Sequence, residues 1–265
     1  MKRVEPKVFV IGSTEADQEG LRAWLDHIGE KQTPVPDAGS GGATVIACAA
    51  KRCYMAFSTN NNKNLTRVRE DMVEYLDNIL KVGHGSVCEH ATYNFAIEGV
   101  SRVWTAEMNR HRAGWAISEG SMRFIRYEEI PFWKPDSLIV EPTDSPELIE
   151  AKLQTWEVFE QALKQDEQNY AELERIWSID SLKEFKVKKK LTSMFRRIIP
   201  IGIATGGVWT GNIRAIRHVL AMRLDPAAEE EMIHVFTKVL FEIQKREPVL
   251  FGDFDVDGKP KYWKV

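Results

Sequence analysis

Two clusters of arginine and histidine contain the side chain types that bind phosphate groups. The first is the Arg-His-Arg triplet at residues 110–112, at the end of a predicted helix. The glycine-containing loop that follows adds further polar side chains: Glu119, Ser121, Arg123 and Arg126. Such a cationic helix end suits phosphate oxygens, because guanidinium groups donate paired hydrogen bonds to them. The charges alone would also fit a solvated surface.

The second cluster, residues 209–223, predicts a helix with an arginine on its apolar side. At about 100° per residue, Arg223 falls among Ile216, Val219 and Leu220. Another face holds Arg214, Arg217, His218 and Ala221. A buried guanidinium is costly without a partner. We therefore expect Arg223 to pair with a carboxylate, such as Glu229 or Glu231, or with an anionic ligand.

A third motif, residues 83–90 (GHGSVCEH), lies between a predicted helix and a predicted strand. Its glycines would let backbone amides approach a ligand. The pattern equally fits a capping box formed by Ser86 and Glu89, and both interpretations stay open. The spacing of the histidines matches no zinc motif in which two histidines share one helical face, so we predict no metal site.

The elements that position these motifs follow from hydrophobic periodicity. Short β-branched runs predict strands at residues 7–11 and 43–48, separated by a loop at 33–42. Helical spacing predicts helices at residues 66–82 and 101–112, and period-two alternation predicts a strand at 91–97.

Three further helices are indicated by their start signals. Ser145-Pro146-Glu147 predicts a helix that extends to about Trp177. A capping box of Ser181 and Glu184 predicts a helix that ends near Pro200, and Asp225-Pro226 opens a last one through Lys245. Helices outweigh strands without regular alternation, and no repeat is present. The sequence predicts an α+β fold of long helices with a small, mostly antiparallel sheet, in one domain over residues 1–265.

Composition excludes several classes of function. The 265 residues are 43% hydrophobic and carry a net charge of −3, so no global basic field exists to hold a nucleic acid. The lysine-rich run at 186–190 lies on a predicted helix, where we expect it to face solvent. Three cysteines, no signal peptide and no apolar run of about 20 residues indicate a cytoplasmic protein that does not enter membranes.

The three motifs, in this order and at these separations, resemble the flavin-dependent thymidylate synthase family. The likeness covers residues 83–126 and 196–252, somewhat under half of the chain. It implies a homotetramer with FAD at subunit interfaces, NADPH as reductant, methylenetetrahydrofolate as carbon donor, and dUMP or UMP as substrate. In such an enzyme reduced flavin delivers hydride and no protein nucleophile is needed, so the cysteines can be structural.

The resemblance also assigns residues. It implies flavin binding by Ser86, Glu89, Arg110, His111, Arg112, Glu119, Asn212, Arg214 and His218. It implies nucleotide binding by Glu107, Arg110, Glu119, Ser121, Met122, Arg123, Arg196 and Arg223. Arg223 is the catalytic residue in this assignment, because a guanidinium beside the uracil ring stabilises the negative charge that makes C5 nucleophilic.

The sequence also departs from the family pattern. Eight residues, 113–120, separate Arg112 from Ser121 where seven are usual, and Trp115 lies in this longer loop. Phe124 replaces a frequent tyrosine, and Ala227 a common histidine. The added residue must bulge outwards or displace Ser121 by up to about 3.5 Å.

Three functions therefore stay open. The leading one is C5-methylation of dUMP. The alternatives are the same chemistry on UMP, for modified-nucleoside biosynthesis, and a flavin- or nucleotide-binding protein that does not methylate.

Overall fold

The computed structural model describes residues 1–60, 62–255, 257–262 and 265. Within them, the strands are β1 (Lys2–Val4), β2 (Lys7–Ser13), β3 (Thr92–Ser101), β4 (Trp115–Glu119), β5 (Pro131–Trp133) and β6 (Ala204–Asn212). β2, β3, β6 and β4 form an antiparallel sheet in that order, and β1 pairs with β5 in parallel. The mostly antiparallel sheet predicted from the sequence is confirmed, as are the strands predicted at 7–11 and 91–97.

Helices surround this sheet and make up most of the regular structure. They are α1 (Gln18–His27), α2 (Gly41–Tyr54), α3 (Met72–Val82), α4 (Arg102–Met108), α5 (Pro146–Ile176), α6 (Phe185–Phe195), α7 (Ile213–Arg223), α8 (Glu230–Gln244) and α9 (Pro248–Phe251). Short 3-10 helices cover Gly85–His90, Asp136–Leu138, Ile179–Ser181 and Arg196–Ile198. The predicted α+β class is confirmed. In the described part of the chain, no helix has both the length and the apolar character needed to cross a membrane.

Two hydrophobic clusters fill the interior. The larger one joins the sheet to α2, α3, α7 and α8, with Trp104 and Trp209 fully buried and their rings 5.1 Å apart, edge to face. The smaller one lies beneath α5 and α6, where Tyr170 and Phe195 meet edge to face at 5.9 Å. α6 is thus held by apolar contacts on one side, which leaves its other side free for polar residues.

The long helix predicted from its start signal is confirmed. Ser145 Oγ accepts a hydrogen bond from the Leu148 amide at 3.3 Å, Pro146 occupies the first turn, and the helix ends at Ile176. A side-chain cap and a proline at the start fix this helix locally, so distant contacts are not needed to place it.

The strand predicted at residues 43–48 is wrong, because these residues lie in α2. Ser40 Oγ accepts from the Ala43 amide at 2.9 Å and caps the helix. Ile46, Ala47 and Ala50 are completely buried. When nearly every side chain of a short apolar run is buried, the hydrophobic pattern of the run does not distinguish a strand from a helix.

Several helix boundaries also differ from the prediction. α3 begins at Met72, where Asp71 accepts from two amides, and α4 ends at Met108. Ser181 forms no capping box, since it lies in a 3-10 helix and α6 follows Glu184. α8 begins after Glu229, whose carboxylate accepts from the Met232 amide at 3.1 Å, whereas Asp225 closes a separate turn.

Candidate functional site

A cluster of charged side chains joins the end of α7 to the Arg-His-Arg triplet. Arg223 Nε donates to His111 Nε2 at 2.8 Å, and Arg223 Nη2 lies 3.1 Å from Glu107 Oε2. Arg110 Nη1 lies 3.2 Å from the other oxygen of Glu107. The His218 ring is 6.4 Å from that of His111. These five residues, the Arg223 cluster, were all predicted to bind flavin or nucleotide, and the fold brings them together.

The Arg223 cluster fixes the protonation of His111. An imidazole nitrogen can accept from Arg223 only when it carries no proton, so the ring is neutral and protonated on Nδ1. Burial, the Arg223 guanidinium and His218 lower the pKa of His111 from 6.5 to about 4. At neutral pH, His111 therefore orients the guanidinium without adding positive charge.

We expect His111 to titrate near pH 4 in the folded protein, well below an ordinary histidine. Nitrogen chemical shifts of labelled histidine, followed by NMR across pH 3–8, measure this directly. In an Arg223→Ala variant the pKa should rise towards 6.5, because a neighbouring positive charge is lost. A His111 ring that titrates near 6.5 in the natural protein would contradict the geometry.

The other end of α7 carries a second cationic group. Arg214 Nη1 forms a salt bridge of 2.6 Å with Glu89 Oε1, which lies in the 3-10 helix of the GHGSVCEH motif. Gly85 permits this approach, because a Cβ there would lie 2.9 Å from Arg214 Nε. The capping-box interpretation of Ser86 and Glu89, one of the two left open, is wrong, since no side chain caps that helix.

Asn212 and His218, two further flavin-assigned residues, lie at the start of α7 and within it. Asn212 Oδ1 accepts from the Ala215 amide at 2.8 Å and caps α7, so it positions Arg214. Ser86, Arg112 and His218 are exposed. His218 lies one turn after Arg214 and close to His111, so it links this group to the Arg223 cluster.

A separate cleft of about 610 Å³ is lined by several of the residues that the resemblance assigned to nucleotide binding. We call it the Ser121 cleft. Its walls include four predicted residues: Glu119, Ser121, Met122 and Arg196. They also include Arg102 and Arg197, which were not assigned, and an apolar end formed by Ile199, Pro200 and Ile201. Arg123, the remaining member of the predicted nucleotide loop, lines a neighbouring cleft with Arg197.

Arg102 is one of the two site residues that the sequence assignment missed, although it lies within residues 83–126, where the sequence resembles the family. Its Nη1 lies 2.7 Å from Glu119 Oε1, and its Nη2 donates to the Gly120 carbonyl. Among the described residues, Arg102 Nε and Glu119 Oε2 are buried without a hydrogen-bond partner. Unpaired buried polar atoms at the edge of a cleft suit a polar ligand.

The segment between Arg112 and Ser121 is a strand, which corrects the expectation of a loop. β4 pairs with β6 without a register shift, from Trp115 opposite Gly211 to Glu119 opposite Gly207. The pairing extends on both sides, because the Asn212 amide donates to Gly114 and the Gly120 amide donates to Gly206. The added residue is therefore no bulge within residues 114–120, which leaves Ala113 or a shifted Ser121 to accommodate it.

Arg223 pairs with a carboxylate, as expected, but Glu229 and Glu231 are wrong as its partner, because the carboxylate is that of Glu107. Glu229 caps α8, and Glu231 accepts from the Ser101 amide at 2.6 Å, so neither reaches Arg223. Arg217, which the helical wheel places on one face with Arg214 and His218, is 1% exposed, whereas those two residues are exposed. It forms a double salt bridge with Asp253, with distances of 2.6 and 2.8 Å. A helical wheel cannot show an acidic partner that lies beyond the helix.

The cysteines have properties of structural residues. Burial raises the pKa of Cys48 and of Cys88 to about 11, so both are protonated thiols at neutral pH and poor nucleophiles. Cys53 is exposed on α2. Within the described residues, no group of three or more histidine, cysteine or acidic side chains could hold a metal ion.

The sequence of this chain matches a known protein family. The sequence profile of the thymidylate synthase complementing proteins matches residues 37–249. The flavin-dependent thymidylate synthase of Mycobacterium tuberculosis is 30% identical over 236 residues, 89% of each chain. That of Mycobacteroides abscessus is 32% identical over 222 residues, 82% of this chain and 81% of the relative.

Solved structures share the fold at low sequence identity. The UMP/dUMP methylase PolB from Streptomyces cacaoi, bound with 5-Br dUMP, has a TM-score of 0.64 at 15% identity and covers 95% of this chain and 96% of its own. Thymidylate synthase X from Helicobacter pylori, with FAD and dUMP, has a TM-score of 0.57 at 19% identity, covering 94% and 98%.

Proposed function

Because this chain belongs to the flavin-dependent thymidylate synthase family, we propose that it methylates C5 of a uridylate and converts dUMP to dTMP. FAD, NADPH and methylenetetrahydrofolate complete the reaction, and when bound they supply the hydride and the carbon unit. The observation that carries this proposal is the Arg223 cluster, in which a neutral histidine and a carboxylate orient a partly buried guanidinium. The conversion takes place, we propose, in a reducing cytoplasm.

The charges around α7 fit a flavin with a pyrophosphate. Arg110, Arg112, Arg214 and Arg223 face only Glu89 and Glu107 as salt-bridge partners among the described residues. With His111 neutral, two positive charges remain in excess, and a phosphate-bearing ligand would neutralise them. Arg112, Arg214, His218 and Ser86 are exposed and can contact such a ligand, while Asn212 and Glu89 hold Arg214 in place.

Arg223 is suited to activate the pyrimidine. Its Nη1 makes no hydrogen bond with a described residue, whereas Nε and Nη2 are held by His111 and Glu107. The guanidinium can therefore donate to a uracil carbonyl without breaking the contacts that orient it. Its side chain is only 16% exposed, and a poorly hydrated charge stabilises a developing negative charge more strongly than a hydrated one.

The Ser121 cleft is suited to the phosphate and sugar of the nucleotide. Arg102, Arg196 and Arg197 line it, while Glu119 and Ser121 offer polar contacts. No member of the Arg223 cluster lines this cleft. We therefore propose that the protein is a homotetramer in which the Arg223 cluster of one copy and the Ser121 cleft of another form one active site. Each copy, residues 1–265, acts as one domain.

The test of this function is direct. Purified protein is expected to be yellow and to release FAD on denaturation, because the exposed arginines need an anionic partner. With dUMP, methylenetetrahydrofolate and NADPH it should form dTMP, identified by mass analysis. A colourless protein that takes up no FAD after reconstitution would remove the enzyme hypothesis, and FAD uptake without product would favour the non-methylating alternative.

A second candidate substrate is UMP, and the regular pairing of β4 is the observation that favours it. Since residues 114–120 pair with β6 without a bulge, the added residue can lengthen this paired segment and place Ser121 one position further along it, about 3.4 Å. A shift of that size would open space beside the ribose. Excluding one hydroxyl by packing alone is worth only about 10²-fold, so a small change can remove it.

We expect kcat/KM for UMP to lie within about 10²-fold of that for dUMP, and deletion of Gly120 to increase the preference for dUMP. Gly120 is the position to delete, because it follows β4, so Ser121 moves back by one position while Trp115–Glu119 keep their register with β6. Gly120→Ala keeps the chain length and is the control. A natural preference for dUMP above about 10³-fold would make the added residue irrelevant to the sugar.

A further inference from the structure

A basic cleft of about 470 Å³ adjoins the Ser121 cleft and is not used by the function proposed above. We call it the lysine cleft. Its charged walls are Lys186, Lys189 and Lys190 of α6, Arg197 in the turn after that helix, and Arg123 opposite. No acidic side chain lines it, and within the described residues none of the five cations forms a salt bridge. The cleft therefore has an unbalanced positive charge.

The fold builds this arrangement from two elements. Leu191, Thr192 and Phe195 bury the opposite face of α6, which aims the lysines at positions 186, 189 and 190 away from the core. Phe124 stacks on Phe185 at 6.0 Å, and Lys189 Nζ lies 4.3 Å from the centre of the Phe124 ring. These contacts hold the turn at 121–124 against α6, so Arg123 faces the lysine row.

The lysine cleft and the Ser121 cleft are neighbours that share one wall. Arg197 lines both, and the turn between them contributes Ser121 and Met122 to one and Arg123 to the other. A ligand whose body lies beside the bound nucleotide could therefore extend an anionic tail along α6.

The size of the cleft indicates more than one anionic group. From Lys186 to Arg197 the chain advances eleven residues, about 16 Å at helical rise, whereas a single phosphate engages one or two cations. Lys189, Lys190 and Ser193 lie inside α6, where their amides are used by the helix, so the cleft offers mainly side chains. Mobile ammonium groups suit carboxylates spaced along a flexible chain better than a pyrophosphate, which is usually held by backbone amides.

We propose that the lysine cleft binds the carboxylates of a glutamate tail on the folate donor, with affinity that increases with the number of glutamates. This inference rests on the proposed function, in which methylenetetrahydrofolate supplies the carbon. Lys186, Lys189 and Lys190 are binding residues for the tail and do not touch the reacting atoms.

The experiment compares tetrahydrofolate with one and with five glutamates. Binding to the FAD-loaded, dUMP-bound enzyme is measured by titration calorimetry, and turnover is measured with the corresponding methylene forms. The natural protein should bind the five-glutamate form about tenfold more tightly, since several weak exposed pairs add together, and salt should reduce this preference. In the triple variant Lys186→Gln/Lys189→Gln/Lys190→Gln, the preference for the five-glutamate form should fall to less than about threefold. The affinity of this variant for the one-glutamate form should be unchanged.

Two controls separate charge from structure. Lys186→Gln/Lys190→Gln keeps Lys189 over Phe124, and so keeps the contact that orders the turn. Lys31→Gln/Lys63→Gln/Lys164→Gln removes the same number of exposed charges elsewhere and should leave the preference intact. FAD content and circular dichroism report folding in each variant.

Equal binding of the two folates by the natural protein would overturn the proposal, as would a preference that survives in both lysine variants. A lysine variant that binds NADPH more weakly but retains the tail preference would assign the cleft to the reductant instead. Failure of the proposed function looks different, because the natural protein would then form no methylated product even with the one-glutamate donor.

Discussion

Arg223→Ala is expected to lower kcat by about 10²–10³-fold, the range found when a preorganised donor to developing charge is removed. In the natural protein, His111 and Glu107 hold the guanidinium at 2.8 and 3.1 Å, so it is oriented before the nucleotide arrives. Truncation removes the group that would stabilise charge on the uracil ring. It also leaves Glu107 facing the pyrimidine with one fewer cation. Nucleotide affinity should fall as well, by about 10–100-fold, as for loss of a charged hydrogen bond.

Steady-state kinetics with dUMP and binding of dUMP to the FAD-loaded protein measure the two effects. Arg223→Lys keeps the charge but cannot make both fixed contacts, so it should recover little activity. Cys48→Ala, Cys53→Ala and Cys88→Ala should each retain turnover. A folded Cys88→Ala protein with normal FAD content and no activity would reopen covalent catalysis, and a fully active Arg223→Ala protein would remove the arginine from the mechanism.

The same variant tests whether two copies share a site. Arg223→Ala and Arg196→Ala alter the Arg223 cluster and the Ser121 cleft respectively. If each active site combines residues of two copies, co-expression of the two inactive chains should restore a fraction of the activity in mixed tetramers. If one copy contains the whole site, no mixture of the two can be active.

Asp253→Ala is expected to destabilise the protein by about 3–5 kcal/mol, the cost of leaving a buried charge without its partner. The Arg217 side chain is 1% exposed and that of Asp253 is 7% exposed, and two hydrogen bonds of 2.6 and 2.8 Å join them. The Arg217 guanidinium also lies 5.0 Å from the centre of the Phe254 ring. For a chain of this size, the midpoint of thermal unfolding should fall by about 6–20 °C.

Thermal and urea unfolding of the FAD-free and FAD-loaded protein provide the measurement. Arg217→Met/Asp253→Leu replaces the pair with apolar groups and should recover most of the lost stability, since a buried ion pair contributes little net stability over a packed apolar pair. Glu172→Ala, which removes an exposed pair with Arg175, should change stability little. A stable Asp253→Ala protein would show that water or another group reaches Arg217.

The sequence by itself determined the features that depend on neighbouring residues. The cap at Ser145 and the proline after it located α5, and the alternation of β3 identified a half-buried strand. The order and spacing of three motifs identified the family, although they covered less than half of the chain. These signals persist because caps, turns and side-chain periodicity act within a few residues.

Only the tertiary structure decided which side chains meet. Arg223 is 112 residues from His111 in the chain, and Glu107 replaced the nearby glutamates that the sequence favoured as its partner. Pairing with β6 made a strand of the segment before Ser121, and Asp253 provided the partner with which Arg217 is buried. Each outcome depends on which distant group supplies a hydrogen bond or excludes water. Spacing along one helix or strand contains no information about that choice, because the free energy of a buried charge or an edge strand is set by partners from other parts of the fold.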